Sequence, residues 1–340
     1  MPNADKYSWY LLTTDANSTT VKREFDDLSL KNAFEGKGVV EYFMPACFMR
    51  VRRSGSSEPV TRKTLFNYIF VHSTQRDIAD IKSNVSRLNL KTPGNSPTGP
   101  RSALTVDDRQ ITMIRKIADI FGGKLPCYRN DEYDLSTCDT AHINGGPFEG
   151  IEGPLMCKTN RLSGQIMLSV RDLFIVATGE IQPQYINVIR LGERSRHPLQ
   201  ALETYIPRVT KALTHKLMTG QLDDDERNNI DAFTRRYALL RPDTDDDATL
   251  HTGLMLMSYT ALSDNDAATQ WLHAAQRLRP SLAPPQTALL DAMTYAATGH
   301  PTPSTPIDSQ PTPSTKTEKT TQNLNAHFTT LYTSLKWLKT

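Results

Sequence analysis

Cysteine is scarce and poorly placed for a scaffold: Cys47, Cys127, Cys138 and Cys157 are the four in 340 residues. No two form a C-x-x-C pair or a zinc-ligand spacing, which excludes a disulfide framework and a structural zinc site. Reduced thiols in an intracellular protein are the expectation. Long apolar runs are missing too. No window approaches the roughly 20 apolar residues that span a bilayer. The opening "MPNADKYSWYLL" lacks both the apolar length and the preceding charge of a secretory signal. The chain therefore reads as cytoplasmic, with no membrane partner. An excess of one charge is also absent. A net charge of +2 excludes a uniformly basic nucleic-acid coat. The front third is nevertheless mildly basic and the stretch 193–300 mildly acidic, an asymmetry that can mark a nucleic-acid-facing half.

Catalytic constellations are likewise missing. The eight histidines are scattered. The acidic runs "DDDE" (223–226) and "DTDDD" (243–247) sit at helix starts, where they complement the helix dipole, and they lack metal-ligand spacing. No catalytic residue, no metal and no cofactor is expected, and the chain reads as a non-enzyme.

What is present is a change of period along the chain. "SWYLLTT" (8–14) is a β-rich run, and the pattern after it predicts a helix over 20–33 with Val21, Phe25 and Leu28 on one face. The stretches 38–53 and 61–73 read as strands joined by the turn-rich "SGSSEPV". A short helix near 75–83, a strand over 85–90, a Pro/Gly loop and a helix over 105–123 capped by Thr105 follow. This order fits an α+β domain with an antiparallel sheet over 1–124. Residues 125–137 read as a polar linker. Five short alternating runs over 138–192 predict a small five-stranded β-barrel. From Leu199 the period becomes helical, giving an all-α domain over 195–299. Residues 300–322 are too rich in Pro, Ser and Thr to fold and are expected to form a disordered tether. In 323–340, Leu324, Phe328, Leu331, Leu335 and Leu338 make one stripe of an amphipathic helix.

The glycine-rich "INGGPFEGIEG" (143–153) raises the question of a phosphate loop. Ile151 and Glu152 stand where a P-loop needs Lys and Ser/Thr, and a strand rather than a helix follows. The glycines read instead as turn punctuation. Gly146 and Pro147 turn the chain, and Gly153 enters the next strand where a Cβ is excluded.

With Gly146, Pro147, Phe148 and Gly153 in place, this segment resembles a KOW motif, the opening of the barrel that ends NusG proteins. The segments "SWYLLTT", "VEYFMPACFMRVRR" and "TLFNYIFV" are similar, in order and near in spacing, to the N-terminal domain of the same family. Its "LFPNY" is here "LFNY", without the proline. The resemblance covers roughly 7–191 and is strongest to the specialised paralogues, RfaH and the UpxY-type antiterminators of capsular polysaccharide operons.

That resemblance implies a transcription elongation and antitermination factor whose N-terminal domain docks on the clamp helices of RNA polymerase. Tyr68 and Phe70 occupy the matching aromatic positions, two apart on one strand face. The polar His-Thr-Thr element of RfaH is not repeated after Val71. Lys22 and Arg23 lie where RfaH-like proteins read exposed non-template DNA. From the residues themselves, Arg50, Arg52, Arg53, Arg62 and Lys63 on the hairpin are candidates for phosphate contacts to DNA or nascent RNA, with Arg62 a neighbour of Arg50 and Arg52 across the turn. Residues 249–280 resemble one tetratricopeptide unit, with Tyr259, Ala268, Leu272, Ala275 and Pro280 at fitting positions, so the rear is expected to bind a further protein. Two other readings stay open: an RNA- or ribosome-binding KOW protein, and an interaction scaffold built on the helical region.

Overall fold

The computed structural model describes residues 6–35, 40–52, 59–63, 67–85, 87–91, 103–157, 163–193 and 202–300. The expected tether, the terminal stripe and Arg53 lie outside the described residues. The chain divides into two compact units, Met1–Leu135 with Gly145–Ile181, and Ser136–Asn144 with Gln182–Thr340.

The first unit opens with β1 (Ser8–Thr14) and α1 (Ser18–Phe34), the helix starting where Asn17 accepts the Thr19 N–H. Strands β2 (Glu41–Phe43), β3 (Ala46–Arg52), β4 (Pro59–Lys63) and β5 (Asn67–Ser73) follow, then α2 (Asp77–Asn84), β6 (Leu88–Leu90), β7 (Thr105–Val106) and α3 (Asp108–Ile120). One sheet has the order β2-β5-β1-β6, with β7 also on β1. Tyr10, Leu12, Ile69 and Val71 face Val21, Phe25 and Leu28 of α1 and Ile78 and Ile81 of α2 in one apolar cluster. The amphipathic stripe expected of the first helix is therefore the stripe that is buried. The cap of α3 differs from expectation: Asp107 accepts the Arg109 N–H, while Thr105 is already spent in a strand.

The segment expected to be a linker contains a buried strand instead, β8 (Lys124–Arg129). It pairs in parallel with β3 and antiparallel with β12 (Phe174–Ala177), and Leu125, Cys127 and Tyr128 are all buried. Proline in a short apolar run argues against a central strand. Here Pro126 lies outside the stretch that pairs with β12, Cys127–Arg129, so its missing N–H removes no bond of that ladder. Strands β10 (Glu152–Cys157) and β11 (Gly164–Val170) extend the same sheet through β12.

The second unit holds β9 (Asp139–Ile143) paired with β13 (Ile186–Arg190), and the helices α4 (Ile206–Thr219), α5 (Asp224–Tyr237), α6 (Asp245–Leu262), α7 (Asn265–Leu278) and α8 (Pro284–Thr298). Asp223 and Glu226 form a capping box at the start of α5, and Thr244 caps α6. Helix α6 is apolar on nearly all sides, as a core helix must be, and Leu254, Met255, Leu256 and Met257 are buried. Strand β13 is tied to α5 and the segment after it: the Asn187 amide donates to Arg235 O at 3.0 Å, and the Arg241 N–H to Ile189 O at 2.9 Å. All five strands expected over 138–192 are present. They are not set apart as a body of their own, because β12 joins β8 in the first unit while β13 docks on α5 in the second.

His251 lies in the core of the second unit, its Nε2 2.9 Å from Tyr237 O and its ring edge-on to Trp271. Burial pulls its pKa down to about 4. Between pH 6.5 and about 4 the unfolded chain binds the proton and the folded chain does not, so stability falls with pH through that window. The loss is expected to reach about 3 kcal/mol. Urea titrations at pH 7 and pH 4 check it, and the loss shrinks in His251→Leu.

Candidate functional site

The candidate docking face is the side of β5 opposite α1. In register, Phe70 lies across from Leu11 of β1 and Phe43 of β2, while Trp9 lies across from His72. The Phe43 and Phe70 rings stack at 5.7 Å, and Trp9 stacks on His72 at 4.9 Å. Over this row lies Arg115 of α3. Its guanidinium sits 4.6 Å from the Trp9 ring centre and 5.4 Å from that of Phe43, and bonds Glu41 at 2.9 Å. Such a cation over aromatic faces is held by the ring quadrupoles. Nothing in the sequence signalled Arg115, because a single arginine on an amphipathic helix has no pattern.

Phe70 is fully buried, so in this conformation it presents no surface to a partner. Tyr68 is half-buried, with its ring stacked on Phe174 of β12 at 4.2 Å. Burial, and then the neighbouring Cys47 and Cys127 thiols, push its phenol up to about 12. The Cys127 thiol is itself raised, first by its bond to Cys47 and then by burial. None of the four cysteines is in a disulfide.

The basic candidates are dispersed. Lys22 and Arg23 are exposed on α1. Arg50 and Arg52 belong to β3, and Arg62 and Lys63 to β4. The register sets Arg50 against Thr61 and Arg52 against Pro59, whereas Arg62 pairs with Met49 and Lys63 with Phe48. Arg62 is thus out of step with the two arginines it was expected to neighbour. The alternation of a strand fixes that outcome once the register is set.

The glycine-rich turn takes the shape read from it. Gly146 has φ +74° and Gly150 φ +82°, both in the left-handed region. A Cβ on Gly153 would stand 2.8 Å from Leu168 Cδ2 and 3.0 Å from Ile166 Cγ2. Pro147 is exposed at the turn. Phe148 is buried beside Phe121 at 6.1 Å and packs over Gly179, so it fills the unit's interior.

In the second unit, α6 and α7 form the helical hairpin expected over 249–280, joined through Ser263 in a left-handed conformation and Asp264. Leu272 and Ala268 pack on the core from α7, with Ala275 buried. His215, Asp223 and Glu226 offer ligand atoms within 4.8 Å of one another. Their closeness follows from the capping box and from the 2.6 Å contact of His215 Nδ1 with Glu226. That contact, foremost, lowers the Glu226 pKa. Lys211 Nζ stands 3.4 Å from Oε1 of the same carboxylate, a cation that already balances its charge.

Among the described residues, no helix is long and apolar enough to cross a membrane. No protein-family model matches the chain. No curated protein matches it either. Among solved structures, one described as domain interaction in Thermotoga maritima NusG is similar at a TM-score of 0.27 and 18% identity, over 54% of this chain and 98% of that one. A superposition that loose carries no argument about fold or function.

Proposed function

We propose that this chain is a transcription elongation and antitermination factor of the NusG type. Its first unit binds RNA polymerase at the clamp helices and suppresses pausing or termination, on particular operons such as those for polysaccharide biosynthesis. The observation that supports this most is the pairing of β1 with β5. It lays the "SWYLLTT" and "NYIFVHS" segments, which carry the resemblance, side by side with an aromatic row on one face. Lys22 and Arg23 on α1, and the arginines of the β3–β4 hairpin, supply phosphate contacts to non-template DNA or nascent RNA. The second unit serves a further protein partner. The factor works in the cytoplasm and carries out no catalysis.

Tyr68 can anchor a partner only when Phe174 leaves its ring. The apparent affinity is then reduced by the fraction of molecules in which that face is open. The test is a pull-down of RNA polymerase by the full-length chain, paired with a pause assay on the same template. Polymerase capture and shortened pauses are expected. Steeply salt-dependent RNA binding with no polymerase capture would replace this reading with an RNA-binding one.

A further inference from the structure

Helix α7 is incompletely covered. Ala275 alone of its residues is fully buried, while Trp271, Leu272, Ala274 and Leu278 are each partly exposed. Beside it runs a groove of about 350 Å³ lined by Met255, Tyr259, Gln270, Trp271, Ala274 and Arg277. The rings of Tyr259 and Trp271, with Met255 and Ala274, give this groove apolar surface that a helix face can cover.

We propose that the C-terminal stripe of this same chain, Leu324, Phe328, Leu331, Leu335 and Leu338, occupies that groove in cis, antiparallel to α7. Three features fit. The first is length. The 14 residues of α7 span about 21 Å, and Leu324 to Leu338 wound as the helix their spacing predicts spans about the same. The second is reach. The chain leaves α8 at the Gly299 cap, and α8 is fixed beside α7 by the paired bonds of Arg279 to Asp291 at 2.8 and 3.0 Å. The 23 residues from Pro301 to Asn323 cover about 25 Å even as a flexible coil, enough to bring the stripe to either end of α7. Such a tether holds the stripe at an effective concentration on the order of millimolar, which favours the cis seat over a second copy. The third is charge. Helix α7 begins with exposed Asp264 and Asp266. The terminal segment has no acid after Glu318 and ends with Lys336 and Lys339. Antiparallel seating brings those lysines to the acidic end of α7.

Hydrogen exchange on the full-length chain tests this, comparing wild type with the double variant Leu331→Asp, Leu335→Asp. Amides of α4, which does not line the groove, report whether the rest of the unit stays folded in the variant. A control, Thr333→Asp, changes the opposite side of the stripe. Amides of α7 from Trp271 to Leu278 are expected to exchange at least tenfold faster in the double variant and unchanged in the control, with wild-type protection independent of protein concentration. Equal α7 exchange in wild type and double variant would overturn the proposal. So would an equal effect of the control. Protection that rises with concentration, together with a doubled mass, would assign the groove to a second copy instead.

Discussion

Phe70→Ala is expected to cost the first unit about 3–5 kcal/mol, the usual loss for deleting a fully buried phenylalanine. Phe70 is 0% exposed, stacks on Phe43 and faces Leu11 across the ladder, so its removal leaves a void in the middle of the sheet. Neighbouring strands cannot collapse into that void without giving up their own register. Thermal or urea unfolding of the full chain checks the loss, which corresponds to a fall in melting temperature on the order of 10 °C. Any loss of partner binding in this variant then reports folding rather than contact. Tyr68, half-buried and stacked only at its face, is the residue that separates the two effects.

Gly192→Ala is expected to destabilise the second unit by a similar amount. A Cβ there would lie 2.3 Å from the carbonyl carbon of Cys138 and 2.4 Å from Thr137 O, both backbone atoms that no rotamer change can move. Relief requires the end of the β9–β13 pair to open. That breaks the 2.8 Å bond from Gly192 N–H to the Asp139 carboxylate. Overpacking costs about 1–3 kcal/mol and the lost charged bond about 1.5–3, giving about 2.5–6 kcal/mol together. Urea titration and the exchange rates of β13 amides measure it. Serine at the same position is expected to do no better, since it carries the same Cβ.

The elements legible in the sequence were those whose signal is local. Strand β1 occupies the run read for it, and Val21, Phe25 and Leu28 of α1 face the core, because a stripe of 3.6-residue period leaves one face to bury. The helices α4 to α8 lie in the stretch whose period reads as helical, helped by Gly220 and Gly299 in left-handed caps. What escaped was set by pairing between distant segments. Strand β8 reads as linker because "LPCY" is short and holds a proline, and only β3 and β12 on either side make it a strand. The register that separates Arg62 from Arg50 and Arg52 depends on how the hairpin closes. The same holds for the candidate site. Tyr68 and Phe70 could be placed on one face from their spacing, but the Phe174 ring and the Arg115 guanidinium that cover that face arrive from residues far along the chain.

The most direct measurement is the dissociation constant of the full-length chain for RNA polymerase, determined for wild type and Tyr68→Ala at one salt concentration. Measurable binding by wild type is expected, with at least tenfold weaker binding by Tyr68→Ala, equivalent to about 1.4 kcal/mol. Absence of binding by wild type, or an affinity that Tyr68→Ala leaves unchanged, would contradict the proposed role.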